Sequence, residues 1–430
     1  MKRAHVLAAA GAVTLALTAC SPTQVSSSGS EEDLQDGTLR VWLFNEVDQA
    51  PKEAVVDAAV EEFEGDHDGL TVEVQYIPVE SRAERFTAAF NDPSSAPDVA
   101  EIGNTDLAGY VAAGGLADVS TALEEWDSAD DLDQDAVATT QVDGAGYAIP
   151  WFVGVRALFY RTDVFDQLGL QPPTTMDEIA EAGRAVHAAD PGMVGVAAGG
   201  AYQFAAMPYI WAHGGALAEE VGDGFESRIS TPESQEGVAA YTELLADDIC
   251  PPQTCAEWGG NDSVEQFSSG GAGMTFGGNF NLAAVDDSVV GDSYGVLPVP
   301  GTEAGSVAPA FAGGNHLAVL ASTERQSLAT EFAELLAGPD YQRQMFDAMG
   351  NLPTLSSVRG EVAEAAPQTA PFIEMLEAGT DFVPVTAAWG AIDADGVVVD
   401  MLQSVATGRA DVAQATATAA EQMDAAFAAQ

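Results

Sequence analysis

The sequence predicts an α/β protein built as two lobes, and three observations carry that expectation. Residues 39–77 alternate strand, helix and strand, the same alternation recurs as far as Pro300, and 430 residues exceed what one core supports. Leu39-Arg40-Val41-Trp42-Leu43-Phe44 reads as a buried strand, with Trp42 in the core. Pro51 then opens a helix whose Val55, Val56, Ala59, Val60 and Phe63 share one apolar face. Leu70 to Ile77 alternates apolar residues with Thr71, Glu73 and Gln75, which makes a second strand. In such a β-α-β unit the strands are parallel, the crossover is right-handed and helices cover the sheet.

A helix is expected over Glu84–Asn91, a strand over Asp98–Ile102, and a helix from Asp106 to Ala113 that Gly114-Gly115 ends. The apolar run Val155 to Tyr160 has the length of a strand crossing between lobes. From Glu324 the chain turns mainly helical, with a last helix from about Asp411 to Ala428, and no short internal repeat is evident. Polar residues gather at strand ends, in Phe44-Asn45-Glu46 and Gly103-Asn104-Thr105-Asp106. Open α/β sheets bind their ligands there.

Lys and Arg number 14 against 67 Asp and Glu, a net charge of −53. Nucleic acid is excluded as a partner, because binding it needs a basic surface that releases counterions. Anionic small ligands are disfavoured too, although one local arginine can still hold one. The acids are scattered rather than blocked, the pattern of a solvated acidic surface such as salt-adapted proteins carry. Lys52 is the only lysine besides Lys2. Cys250 and Cys255 enclose Pro-Pro-Gln-Thr and are expected to close a small disulfide in an oxidising compartment. Their spacing is not C-x-x-C and the histidines are dispersed, so neither a metal nor a redox role is expected. No cofactor is implied, and the chain lacks a phosphate-binding glycine loop ending in Lys-Ser or Lys-Thr.

Lys2 and Arg3 precede an apolar run that closes in Leu17-Thr18-Ala19-Cys20. Residues 4–19 are short for a bilayer span and polar sequence follows at once. The segment resembles a bacterial lipoprotein signal. That resemblance implies a signal peptide over residues 1–19, a lipid on Cys20 and a mature chain outside the cytoplasm, held to the outer face of the cell membrane by lipid alone. Residues 20–37, rich in Ser, Gln, Gly and acids, are expected to form a disordered tether.

Further landmarks are Ala96-Pro97-Asp98-Val99, Gly114-Gly115-Leu116-Ala117-Asp118, Tyr147 to Pro150, Leu158-Phe159-Tyr160-Arg161-Thr162-Asp163, Pro172 to Glu178 and Gly313-Gly314-Asn315. In this order, with Trp42 on the opening strand, they resemble the extracellular solute-binding proteins of ABC transporters, in the carbohydrate-binding family that includes maltose-binding protein. Gly103-Asn104-Thr105 looks most like actinobacterial chitobiose- and oligosaccharide-binding members. The resemblance implies a periplasmic-binding-protein-like type II fold, two α/β lobes with a hinge and a ligand cleft between them. It implies discontinuous lobes, 38–153 with 300–350 and 154–299 with 351–430. It also implies a monomer that binds a sugar without catalysis and presents it to permease subunits after hinge closure.

A sugar offers apolar C–H faces and a ring of hydroxyls, so its site needs aromatic platforms and planar polar groups. Trp151, Phe204, Phe280 and Trp389 are the expected platforms; by position in the resemblance, Phe280 and Trp389 match the family's stacking aromatics. Phe280 stands where a Trp is more usual. Asn45, Glu46, Asn104 and Asp106, beside Phe44, and Asn279 from the second lobe are the expected hydroxyl partners. Arg82 and Arg156 can fork onto hydroxyls or an acetamido carbonyl. Asp106 has an alternative role as a helix cap and the arginines as salt-bridge partners. Gly154 stands where the maltose-binding pattern carries an acid, so a different hydroxyl pattern is read. Two other readings use the same residue types: a secreted glycosidase, for which no pair of carboxylates and no H-E-x-x-H or G-x-S-x-G stands out, and the same fold holding a peptide, polyamine or other small solute.

Overall fold

The computed structural model describes Met1 and residues 33–46, 49–222, 224–311 and 313–429. Residues 2–19 of the expected signal peptide, its lipid acceptor Cys20 and residues 20–32 of the tether lie outside them. The last residues of that tether are a correction. Leu34 N–H donates to the Glu324 carbonyl at 2.8 Å, Gln35 Nε2 to Ser327 Oγ at 2.9 Å, and Arg325 Nε to the Asp36 carbonyl at 2.9 Å. Residues 33–36 are therefore bonded to the start of the helix Gln326–Leu336, and the first strand begins at Gly37.

The strands of the two main sheets are, in chain order, β1 Gly37–Phe44, β2 Leu70–Ile77, β3 Val99–Gly103, β4 Ile149–Gly154, β5 Arg156–Arg161, β6 Val194–Ala197, β7 Ala272–Gly278, β8 Tyr294–Leu297, β9 Gly313–Val319 and β10 Leu352–Pro353. The first sheet has the order β10-β4-β9-β3-β1-β2 and the second β8-β5-β7-β6. As the β-α-β pattern requires, β1 is parallel to β2 and β3, and β9 returns antiparallel between β3 and β4. Leu39, Val41 and Leu43 of β1 are buried and meet the helix Ala50–Asp66 through Val55, Val56, Ala59 and Phe63. Phe63 stands edge-on to Phe332 with centroids 5.2 Å apart. The opposite face of the sheet carries Phe86, Ala89 and Leu107.

The chain passes between the sheets at three places. The first is Val155, between β4 and β5, so the run expected as one crossing strand is the end of one sheet strand followed by a strand of the other sheet. The second comes later than the expected 299/300 boundary. Val299, Ala308, Ala310 and Phe311 still pack in the second lobe's core, and Gly313 opens β9 in the first sheet. The third also comes later than 350/351, because Leu352-Pro353 pairs with β4 before Val362 and Phe372 join the second lobe's core. Turn residues alone do not mark these boundaries; strand pairing does. Cys250 and Cys255 form the expected disulfide, with Cα atoms 5.9 Å apart.

One side chain on the first helix breaks the apolar pattern. Lys52 is fully buried, and its Nζ donates at 2.9 Å each to the Phe44 carbonyl, Glu46 Oε1 and Glu101 Oε2. Glu101 also accepts from Phe44 N–H at 2.7 Å and from Asn315 Nδ2 at 2.5 Å. Burial alone pulls the Lys52 ammonium down, but Glu101 and Glu46 outweigh it and hold the group above its ordinary value.

On the far face of the first lobe, Glu334 is half-buried, and desolvation, then Glu331 and Asp127, push its carboxyl up to about 7. A carboxyl raised in the folded state favours folding below its unfolded value of 4.5, and that contribution is lost as pH climbs through about 7. Glu334→Gln should therefore raise the melting temperature by about 1–2 °C at pH 8, for a solvent-screened effect of roughly 1 kcal/mol. At pH 4.5 it should change nothing; equal shifts at both pH values would sink the assignment.

Candidate ligand cleft

The carboxyl ends of β1, β3 and β4 and those of β6 and β7 face one another across the hinge, and they bring most of the sequence candidates to one cleft. On the first lobe, Asn45 is exposed and its N–H donates to the Ile77 carbonyl at 3.0 Å. Glu46 is about one-third exposed, with one carboxylate oxygen tied down by Lys52. Arg82 Nε donates to Asp106 Oδ2 at 2.7 Å, so the pair expected to meet hydroxyls separately forms an ion pair. Asp106 occupies the N-cap position of the helix Leu107–Ala112 without a side-chain cap bond. Burial pushes its carboxyl up against the pull of Arg82, and Asp393 from the second lobe pushes the same way.

Asp393 belongs to the helix Ala387–Ala394, which packs across the cleft on the helix Leu107–Ala112. Gln203 Nε2 donates to Asp393 Oδ1 at 2.6 Å. The Asp393 carboxylate of the second lobe also adds to the field that favours the charged Arg82, after its ion pair with Asp106. Asn104 is buried, its N–H bonded to the Gly314 carbonyl at 3.0 Å. Beside it lies a cavity of about 20 Å³ lined also by Phe152, Gly313, His316, Leu376 and Thr380. That volume holds one water molecule and is too small for a sugar ring.

The second lobe presents aromatic rings around one cation. The Arg156 guanidinium carbon lies 4.9 Å from the centroid of Phe204, 5.6 Å from Tyr202, 5.8 Å from Phe280 and 5.9 Å from Phe311. Its Nε donates to the Tyr202 hydroxyl at 3.0 Å. Phe311 stacks on Phe204 at 4.8 Å and on Phe382 at 5.7 Å. Phe280 is 42% exposed and is the platform with a free face. Its ring covers Gly154, where a Cβ would come within 3.3 Å of it, and a Cβ on Gly278 would clash with it at 2.3 Å. Both glycines let the ring lie flat across the crossing.

Four expected ligand residues play other parts. Phe44 points into the first lobe's core with Ile77 and Phe86, because the strand's last apolar residue turns to the helix-covered face. Trp151 is fully buried on β4 and packs on Lys52, 5.5 Å from the ring centre. Asn279 is buried; its Oδ1 accepts from Val155 N–H at 2.8 Å and its Nδ2 donates to the Gly350 carbonyl at 2.7 Å. It ties the first crossing to the turn that leads into β10 of the first sheet. Trp389 is 2% exposed and packs in the second lobe's core, so it offers no platform in this conformation.

Tyr202, Gln203, Phe311 and Asp393 were not among the sequence candidates. The strand-end rule that marked Asn104 also marks the turn at Gly199-Gly200 after β6, which leads into Tyr202 and Gln203. Phe311 stands two residues before the noted Gly313-Gly314 turn. Asp393 has no local signal, since only packing brings its helix to the cleft. Among the described residues no group of His, Cys, Asp or Glu could hold a metal ion, and no helix is long and apolar enough to cross a membrane.

Two α/β lobes, joined by three crossings and facing each other through strand ends, define a ligand-binding protein that opens and closes about a hinge. The chain belongs to the bacterial extracellular solute-binding proteins, whose family model matches residues 46–343. It is 28% identical over 323 residues to the diacetylchitobiose binding protein DasA of Streptomyces coelicolor, covering 73% of this chain and 72% of the relative. It is 26% identical to the galactooligosaccharide-binding protein of Bacillus subtilis, covering 98% and 96%. In fold it is similar to the sugar-binding protein MalE of Xanthomonas citri, with a TM-score of 0.79, 21% identity and 91% and 98% of the two chains covered. The GacH receptor of Streptomyces glaucescens, solved unliganded and with acarbose, superposes with a TM-score of 0.78, 21% identity and 91% and 99% coverage.

Proposed function

We propose that this protein binds an oligosaccharide in the cleft outside the cytoplasm and delivers it to the permease of an ABC transporter. The observation that carries the reading is the half-exposed ring of Phe280, with the partly exposed Phe204 near the same guanidinium, opposed to the polar strand ends of the first lobe. Flat rings match sugar C–H faces and the planar groups of Arg82, Asp106, Gln203 and Asp393 match hydroxyls. Two relatives named for chitobiose and galactooligosaccharide support the ligand class. The chain acts as a monomer without catalysis or cofactor, anchored by lipid on Cys20.

A thermal-shift screen against chitobiose, galactobiose, maltose, cellobiose, trehalose and xylobiose, with spermidine and a dipeptide as controls, tests this directly, because a ligand of the native state raises the melting temperature. One sugar should shift it and remain intact on incubation. A response to spermidine or the dipeptide alone would overturn the ligand class, and released monosaccharide would overturn the function. Phe280→Ala should weaken the responding sugar about tenfold while leaving the apo melting temperature within about 1 °C, since the ring is half exposed.

A further inference from the structure

We infer that the sugar this cleft selects is acidic, an oligosaccharide carrying a uronic acid carboxylate that docks on Arg156. The inference rests on the sugar-binding reading and names its ligand class. This chain has a large surplus of carboxylates, and Arg82, Arg161, Arg184, Arg228, Arg343 and Arg359 each lie within ion-pair distance of at least one, whereas Arg40, Arg325 and Arg409 bond carbonyl or hydroxyl oxygens instead. Arg156, at the start of β5 on the cleft, has none among the described residues. Its protein contacts are a phenol hydroxyl and four rings. Rings attract a guanidinium without neutralising it, and they lower the local dielectric, which strengthens whatever anion arrives.

The cation is also held in position. Nε is fixed by Tyr202, and Phe311 is locked between Phe204 and Phe382, so the two terminal amino groups, with no hydrogen-bond partner among the described residues, keep a fixed direction. A planar fork of that kind matches a carboxylate through two parallel N–H···O bonds. A uronic acid ring meets the rest of the surroundings as well, its C–H face on the exposed ring of Phe280 and its hydroxyls toward the first lobe. The chain's overall negative charge does not decide the matter, because exposed carboxylates more than about 8 Å away are screened at physiological salt. The four rings within 6 Å of the guanidinium and the hydroxyl it bonds are uncharged.

Isothermal titration of the protein with matched disaccharides decides it: digalacturonate against galactobiose, cellobiouronate against cellobiose, and dimannuronate against mannobiose, each at low and at high NaCl. In at least one pair the acid should bind tenfold tighter or more, a difference of about 1.4 kcal/mol, and the ratio should shrink as salt rises. Arg156→Gln should bring that ratio to within about threefold of one, and Arg156→Lys should restore part of it. Neutral sugars that bind as tightly as their acids in every pair would overturn the acidic class and leave the sugar reading standing. No binding by either member of any pair, with a response to the cationic or peptide control, would overturn both. The wild-type comparison is decisive even if a variant does not fold.

Discussion

Lys52→Met should lower the unfolding free energy by about 3–5 kcal/mol, the range for removing one partner from a buried ion pair. The reason is Glu101, which is itself fully buried and would lose its counter-charge while keeping only bonds from Phe44 N–H and Asn315. A Met side chain fills the volume but brings no donor. The companion variant, Lys52→Met with Glu101→Gln, should recover much of the loss, since the uncompensated charge is gone. Chemical denaturation measures both. A single variant within about 1 kcal/mol of wild type would mean that water reaches Glu101. The pH dependence has a defined sign. Lys52 is held above its ordinary value of 10.5, so its contribution is complete below pH 10.5 and fades as pH rises through the higher folded value. Lys52→Met should lack that alkaline loss. The same variant frees Glu46 at the cleft rim, so ligand affinity should fall with stability.

Asn279→Ala should cost about 2–4 kcal/mol and change how the lobes move. Two backbone groups, Val155 N–H and the Gly350 carbonyl, lose their partners at once, each at about 1–2 kcal/mol when buried. Val155 is the first crossing and Gly350 precedes β10 of the first sheet, so the bonds through Asn279 set the spacing between crossing and lobe. Small-angle scattering should report a larger radius of gyration for the unliganded variant, and the decrease on adding ligand should be greater than in wild type. Asn279→Asp keeps the acceptor for Val155 but sets a buried carboxylate oxygen against the Gly350 carbonyl, so at neutral pH its stability should fall at least as far as that of the Ala variant. An Ala variant of unchanged stability and unchanged scattering would show that the crossing holds its place without Asn279.

The site was partly legible before the fold was known. Asn45, Glu46, Asn104 and Asp106 follow from one rule, that open α/β sheets bind ligands past the carboxyl ends of their strands, and all four lie at strand ends of the first sheet. Arg82 and Asp106 were each legible as polar candidates, but their pairing was not, because 24 residues and a strand separate them. Phe280 and Asn279 are adjacent and have opposite fates, one exposed over Gly154 and the other buried at the first crossing. No local pattern distinguishes them. Trp151 misled because an aromatic beside a crossing reads equally as platform or core. The buried Lys52 beneath it decided for core.

The α/β class, the first parallel unit, the disulfide and the polar strand ends proposed to meet the ligand were legible in the residues alone, because these depend on periodicity, turn chemistry and spacing within a few tens of residues. Where the chain passes between lobes, which aromatic keeps an open face, and the packing of the Asp393 helix on the helix Leu107–Ala112 were set by the three-dimensional fold. Those depend on packing between segments as much as 300 residues apart, where side-chain direction is set by the neighbours it meets rather than by the residues beside it in the chain.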